Sequence, residues 1–353
     1  MKSKKTWAIV LICICLLALC ACGAPSSEAE EGSGEEAGQE TSQETYTFRT
    51  SVHCAEGSVL DEYFVQPFNE LLQEKSDGRM SLEVYYGSSL TQQGNGLDAL
   101  KGGLADIVQD VFVLYPGQFL YEELMGVPGW NFGGFENFSR VANEYAEAFP
   151  DKAGEDYVVC ARFAFSDFGL CTNKPVTKVE DVKGMMIRAS SQIAPWYEAM
   201  GATGTFFPNS EMYESLRLNI VDGVHTSIEA LQNFRLAEVS SYYTRLPMHG
   251  GASAFIMSKK VYDSLPEDMQ AVLDDIFNDE LLEIGINYAK TATEISIKES
   301  TEMNPDFQFL ELDDPEPFVE AAMPIIEAKV KELNDAGLDG DAAYEWLMDH
   351  TVK

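Results

Sequence analysis

From Glu267 to Met303 the chain carries no proline and a single glycine, Gly285. Pro266 stands directly ahead, where the first turn of a helix tolerates a missing N–H. A helix over 267–303 exceeds the ordinary globular length. It has to lie along most of a large body, because nothing smaller can cover its apolar side. Its apolar spacing does not hold a sustained heptad, which argues against a coiled coil. Ahead of it, strand-like and helix-like runs alternate. The segments 46–52, 80–86 and 105–111 read as strands, with Leu82, Val84 and Tyr86 alternating against polar neighbours. The segment 58–75 reads as a helix: Ser58 and Asp61 are spaced like a capping box, and Leu60, Phe64, Phe68, Leu71 and Leu72 form a stripe at helical spacing. A short helix is expected over 97–104, further strands over 157–165 and 201–207, and a helix from Asn209. Arg188 follows Met185-Met186-Ile187 and is placed near a strand end. Such alternation predicts an α/β fold, with a parallel-type sheet covered on both faces. No internal repeat is present.

The first 45 residues read differently. Lys2, Lys4 and Lys5 precede an apolar stretch over 7–19, too short to cross a membrane comfortably. The run Leu19-Cys20-Ala21-Cys22-Gly23 then has the form of a bacterial lipobox. Residues 1–22 are therefore expected to be a lipoprotein signal peptide with Cys22 as the lipidated residue. The segment 23–45 carries Glu28, Glu30, Glu31, Glu35, Glu36, Glu40 and Glu44 without a lysine or arginine. It cannot bury enough apolar surface to fold and reads as an acidic tether. The expected location is outside the cytoplasmic membrane, anchored through lipid.

About 300 residues remain, enough for two domains. With 58 acidic against 24 basic residues and a net charge of −34, the chain has nothing to neutralise phosphates, so nucleic acid is excluded as a partner. Of the seven cysteines only Cys54, Cys160 and Cys171 belong to the folded part. A Cys160–Cys171 disulfide and buried free thiols are both open readings.

An ordered series of segments carries a resemblance. It begins with Glu74-Lys75-Ser76-Asp77-Gly78-Arg79 and Leu90-Thr91-Gln92. Leu100-Lys101-Gly102-Gly103-Leu104-Ala105-Asp106 follows. Thr172-Asn173-Lys174-Pro175-Val176, Asp181-Val182-Lys183-Gly184 and Ile187-Arg188 form its centre. Gly201-Ala202, Pro208-Asn209-Ser210-Glu211-Met212-Tyr213 and Val221-Asp222-Gly223 continue it. In order and spacing these resemble the solute receptors of tripartite ATP-independent periplasmic (TRAP) transporters, the DctP family, from about residue 46 to about residue 310. The resemblance implies a two-domain periplasmic-binding-protein-like fold, with the ligand cleft between the domains and a long helix spanning both. It places 46–165 and about 252–290 in one domain, and 166–251 and about 291–353 in the other. It implies a monomeric receptor, not an enzyme, without cofactor or metal. Its partners would be a small organic acid and the small and large membrane subunits of the transporter.

The family pairs an arginine at the position of Arg188 with a ligand carboxylate, and a guanidinium fork suits that task. Asn209 is expected nearby. Where the family continues Asp-Gly with Gln-Glu-Asn, this chain has Val224-His225-Thr226, so Thr226 takes the asparagine position and His225 is new. The family's second arginine is missing from Ser166-Asp167-Phe168-Gly169, and Arg162 is out of register. A small monocarboxylate with an apolar or aromatic body is therefore favoured over a bulky acidic sugar. Phe168, Trp130, Phe112 and Phe255 are candidates for its wall. In the first domain His53, Gln92, Gln109 and Asp110 fall at ligand-contact positions.

A receptor for an ATP-driven transporter or a sensor is the second reading. A lipid-anchored hydrolase is a third. It is opposed by Gly251-Ala252-Ser253-Ala254-Phe255, which lacks the last glycine of a nucleophile elbow. The histidines His53, His225, His249 and His350 also keep no metal-binding spacing. Metabolic labelling with a palmitate analogue is expected to tag the wild-type protein and Cys20→Ser but not Cys22→Ser.

Overall fold

The computed structural model describes residues 44–352 except 191, 249 and 250. The expected signal peptide, Cys22 and all but the last two residues of the expected tether lie outside the described residues. Two mixed sheets organise the fold. The first contains β1 (Tyr46–Ser51), β2 (Met80–Tyr85), β3 (Ile107–Val111), β4 (Tyr157–Phe163) and β10 (Ser253–Ser258). Their order is β2-β1-β3-β10-β4, with β10 antiparallel to both neighbours. The second contains β5 (Phe168–Thr172), β6 (Met186–Arg188), β7 (Thr203–Thr205), β8 (Gly223–Ser227), β9 (Tyr242–Arg245) and β11 (Gln308–Leu310). Their order is β11-β9-β5-β8-β6-β7, with β5 antiparallel to β8 and β9. The chain passes from the first sheet to the second between β4 and β5, returns between β9 and β10, and spans both through the long helix, giving the two-lobed α/β architecture expected from the resemblance.

The long helix is present over 267–303, as the absence of proline predicts. One wide π-turn interrupts it at Ile276–Glu280. Its first half packs on β4 and on the turn Asp61–Val65 of the first lobe. Further along it meets the helix Glu229–Asn233 and the turn Leu236–Glu238 of the second. The buried face explains how one helix serves both. It runs Leu281, Leu282, Gly285, Ile286, Tyr288, Ala289, Ala292, Thr293, Ser296 and Ser300, large at the start and small towards the end. At Gly285 a Cβ would lie 2.7 Å from Phe163 Cβ and 3.2 Å from Phe64 Cε2. Phe163 and Phe64 themselves stack with centroids 4.5 Å apart, and Phe255 lies on Phe64 at 4.6 Å. The glycine lets the helix backbone settle on this aromatic stack.

Local signals mostly resolve as read. Ser58 Oγ accepts from the backbone N–H of Asp61, while the Asp61 carboxylate accepts from Gly57 N rather than from Ser58. The strands over 105–111 and 201–207 are shorter than expected. The helix from Asn209 begins as a single tight turn, Asn209–Glu211, before Met212–Arg217. Cys160 and Cys171 are free thiols, one in each sheet, and Cys171 Sγ lies 2.9 Å from Ser240 Oγ. Leu124, Trp130, Phe138, Val141 and Tyr145 precede residue 165 in the chain. They share one core cluster with Ile187 and Trp196 of the second lobe and with Phe318 and Leu347 of the two C-terminal helices, Glu316–Asp335 and Gly340–His350. The packing therefore does not follow a chain boundary at 165.

Gly285→Ala is expected to lower stability by about 1–3 kcal/mol in denaturant titration, because the added methyl overpacks the helix against the Phe163 and Phe64 side chains. This outweighs the gain of about 1 kcal/mol that alanine offers over glycine in a helix interior. A neutral or stabilising result would mean that helix and sheet separate without cost.

Candidate ligand site in the second lobe and the facing cavity

Three parallel strands, β7, β6 and β8, end at the same edge of the second sheet, where a parallel arrangement leaves a crevice for a ligand. Arg188 is the last residue of β6. It is registered against Thr205 on one side and Val224 on the other. Pleat alternation then sorts the neighbouring candidates. Thr226 lies on the face of Arg188 and Val224. His225 lies on the opposite face, with Ile187 and Leu170, in register with Leu170. The adjacent positions His225 and Thr226 therefore meet different surroundings.

The Arg188 guanidinium is half-buried and faces oxygens that carry no charge. Nε and Nη2 both donate to Phe207 O at 3.1 Å, and Nη2 donates to Asn209 Oδ1 at 2.6 Å. Nη1 points at His225 O from 3.5 Å, too far for a strong bond. The Phe206 and Phe207 rings lie 5.7 and 6.0 Å from it, in cation–π range. Phe206 is 65% exposed, unusual for a phenylalanine and available to cover a bound molecule. Burial pulls the Arg188 pKa below the ordinary arginine value, and no carboxylate among the described residues pairs with it. Asn209, which opens the turn after Pro208, is the side chain that meets it, as expected.

His225 is a packing residue. Its Nδ1 is 2.8 Å from Tyr197 Oη, and its ring stacks on Phe168 at 5.8 Å and meets Trp196 and Tyr197 edge-on. Burial, and then the charge of Arg188, pull its pKa down to about 3, so the imidazole is neutral. Phe168 is partly buried and is spent on this stack. Trp130, Phe112 and Phe255 do not form a wall there. Trp130 is 1% exposed and donates from Nε1 to Leu124 O. Phe112 packs on Phe119, and Phe255 on Phe64. Arg162 is bound to the buried Glu122, with Nε 2.6 Å from Oε1, and is not a second ligand arginine.

On the first lobe, alternation again separates neighbours. Gln109 and Asp110 are successive in β3 and face opposite sides. The Asp110 carboxylate accepts from the N–H groups of Gly94, Gly96 and Val111 and from Tyr115 Oη at 2.5 Å. It holds the 94–96 loop and has no spare capacity for a ligand. Gln109, 1% exposed, donates to Ser253 Oγ at 2.8 Å and leaves Oε1 without a protein partner. His53, just beyond β1, has Nδ1 at 3.0 Å from Ser88 Oγ and a free, buried Nε2. Burial lowers its pKa in spite of the nearby Asp110. His53 and Gln109 line a cavity of about 410 Å³ together with Gln93, Phe165, Glu229 and Tyr288. Gln92, the expected contact, is exposed and donates to Ser88 O, so its neighbour Gln93 occupies the wall instead.

Glu229 was not singled out by the sequence, since one glutamate among 58 acidic residues carries no signal. The fold sets it at the start of the helix after β8, where it accepts from Tyr288 Oη of the long helix at 2.6 Å. Burial lifts its pKa to about 7, against a smaller lowering by that hydrogen bond. Among the described residues no three His, Cys, Asp or Glu side chains gather as metal ligands.

Residues 51–332 match the family described as bacterial extracellular solute-binding protein, family 7. A solute-binding protein of Albidiferax ferrireducens is 26% identical over 263 residues, 72% of this chain and 74% of that protein. The ectoine-binding periplasmic protein TeaA of Halomonas elongata is 26% identical over 290 residues, 79% of this chain and 82% of its own. Among solved structures, a TRAP periplasmic solute-binding protein of Desulfovibrio salexigens superposes with a TM-score of 0.77 at 21% identity, covering 86% of this chain and 95% of that one. A marine-metagenome TRAP protein specific for aromatic acids, bound to 3-hydroxybenzoate, gives a TM-score of 0.75 at 22% identity over 87% and 98%. With the match extending from the end of β1 into the first C-terminal helix, the chain belongs to family 7 of the bacterial extracellular solute-binding proteins, the DctP family of TRAP receptors.

Proposed function

We propose that the protein encloses a small organic acid between its two lobes, seats one carboxylate on Arg188, and delivers the acid to the small and large membrane subunits of a TRAP-type secondary transporter. The observation that carries this reading is the state of Arg188, a half-buried guanidinium at a sheet edge whose hydrogen-bond partners among the described residues are all neutral oxygens. A buried cation without a counter-charge is costly, and a ligand carboxylate supplies that charge. The Nε–Nη2 edge is committed to Phe207 O. The end-on edge is where a carboxylate would arrive, displacing the amide oxygen of Asn209. The Asn209 side chain can then turn its NH₂ towards the acid. Thr226, on the same face, offers a hydroxyl that can donate, with a shorter reach than the family's asparagine. Relatives support an acid as ligand: one of Rhodobacter capsulatus is a C4-dicarboxylate-binding protein, and a solved neighbour from Bordetella bronchiseptica holds mandelate. Lipid anchoring through Cys22 would keep the receptor beside its transporter, and a monomer suffices for the task.

Thermal-shift screening of small organic acids, followed by calorimetry, tests the reading. Arg188→Ala is expected to cost about 3–5 kcal/mol of binding, the usual loss when one partner of a desolvated charge pair is removed. That corresponds to a hundredfold or greater fall in affinity. Arg188→Lys recovers part of it, since an ammonium does not reproduce the fork. Thr226→Val costs about 1–2 kcal/mol. An acid bound equally well by Arg188→Ala would overturn the assignment.

In vesicles reconstituted with the membrane subunits, uptake is expected to follow an ion gradient and to need no ATP. ATP-dependent uptake without a gradient would favour the second reading, a receptor for an ATP-driven transporter.

A further inference from the structure

The cavity between His53, Gln109, Glu229 and Tyr288 has a chemistry opposite to that of Arg188. None of its lining residues is a lysine or arginine. Two acceptors in its lining lack a full set of partners, Gln109 Oε1 and a Glu229 oxygen. Gln109 Oε1 is buried without a partner, because the amide's NH₂ is already spent on Ser253. His53 Nε2 is buried without a partner, and the ring is held neutral by burial, with Nδ1 already on Ser88. Glu229 brings a partly buried carboxylate to the cavity wall, with one oxygen occupied by Tyr288. An anion placed here would meet Glu229 and find no cation. A purely apolar group would leave Gln109 Oε1 and the second oxygen of Glu229 unmatched, each at a cost. A group with several N–H donors and a positive charge satisfies both.

The cavity wall is linked to Arg188 through the chain segment 225–229. Arg188 reaches towards the His225 carbonyl, and Thr226 and Glu229 are three residues apart, so their Cα atoms are separated by at most about 11 Å.

We infer that the receptor takes a zwitterion: its carboxylate lies on Arg188, and its ammonium or similar cationic donor lies in the cavity against Glu229, Gln109 and His53. This rests on the proposed role of Arg188 and narrows the ligand class from organic acids at large to amino-bearing ones. It replaces the simple monocarboxylate of the sequence reading. Glu229 is then the residue that sets specificity, and its proximity to Tyr288 on the long helix joins ligand capture to the element that spans both lobes.

Matched pairs of probes test this: 5-aminopentanoate against pentanoate, and 4-(aminomethyl)benzoate against 4-methylbenzoate, by calorimetry on the folded protein. In wild type the amine-bearing member of at least one pair is expected to bind about tenfold or more tightly, the usual value of a hydrogen bond to a charged group. Glu229→Gln keeps the shape and an acceptor for Tyr288, and should reduce that ratio to about one while the amine-free member binds as before. It should also fold at least as well as wild type at pH 8, since it replaces a carboxylate whose pKa burial lifts to about 7. Gln109→Met is a second variant that leaves Glu229 in place, and it should lower the same ratio. Equal or weaker binding of the amine-bearing members in wild type overturns the inference, as does a ratio unchanged by both variants. Loss of Arg188 dependence, with the ratio intact, overturns the carboxylate assignment instead. Absence of binding by every probe at millimolar concentration overturns the inference as well.

Discussion

The seating of one helix on two sheets is the constraint on which the rest of the structure depends. Gly285 brings the helix backbone onto the Phe64–Phe163–Phe255 stack, so the helix belongs rigidly to the first lobe there. Beyond it, the buried side chains become small towards Ser296 and Ser300, and the helix reaches the second lobe through the hydrogen bond from Tyr288 to Glu229. Close packing at one end and small side chains at the other give a molecule whose lobes share an element without sharing a continuous core at that point. That arrangement leaves room for a cavity between them, with its polar atoms facing inward.

Two polarities are built around that space. On the second sheet a guanidinium has been desolvated and given only carbonyl and amide oxygens. At the junction a carboxylate has been desolvated and given one phenol. Each is expensive in isolation, and neither neutralises the other directly. The neighbouring side chains that looked equally suited to bind are instead consumed by structure. Asp110 holds a loop through four hydrogen bonds from backbone and Tyr115, and His225 is fixed between Phe168, Trp196 and Tyr197. The distinction between a residue that has spent its polar atoms and one that has not is what separates candidates from scaffold in this protein.

Much of the architecture was legible in the chain. The proline-free run predicted the long helix, alternation predicted two-residue periodicity in the strands, and the ordered segments around Arg188 predicted the family. The proposed site was legible only where a residue's placement depends on its own neighbours in sequence. Arg188 stood out because it closes an apolar strand, and Asn209 because it opens a turn. The roles of Gln92 and Gln93 were exchanged, because a one-residue difference in a loop decides which side chain faces inward and no periodicity governs a loop. Trp130 was misplaced because an aromatic residue in a core and one in a cleft look alike in a sequence.

Sequence by itself therefore determined the fold class and the existence of the spanning helix, and singled out the arginine proposed as anchor, since these follow from local periodicity, from backbone chemistry and from an ordered motif. Tertiary structure alone decided which faces the alternating residues present, and so which of Gln109 and Asp110 lines the cavity. It also decided the pairing of Glu229 with Tyr288, 59 positions apart. Burial and the satisfaction of hydrogen bonds are properties of a residue's surroundings in three dimensions, and a linear pattern does not contain those surroundings.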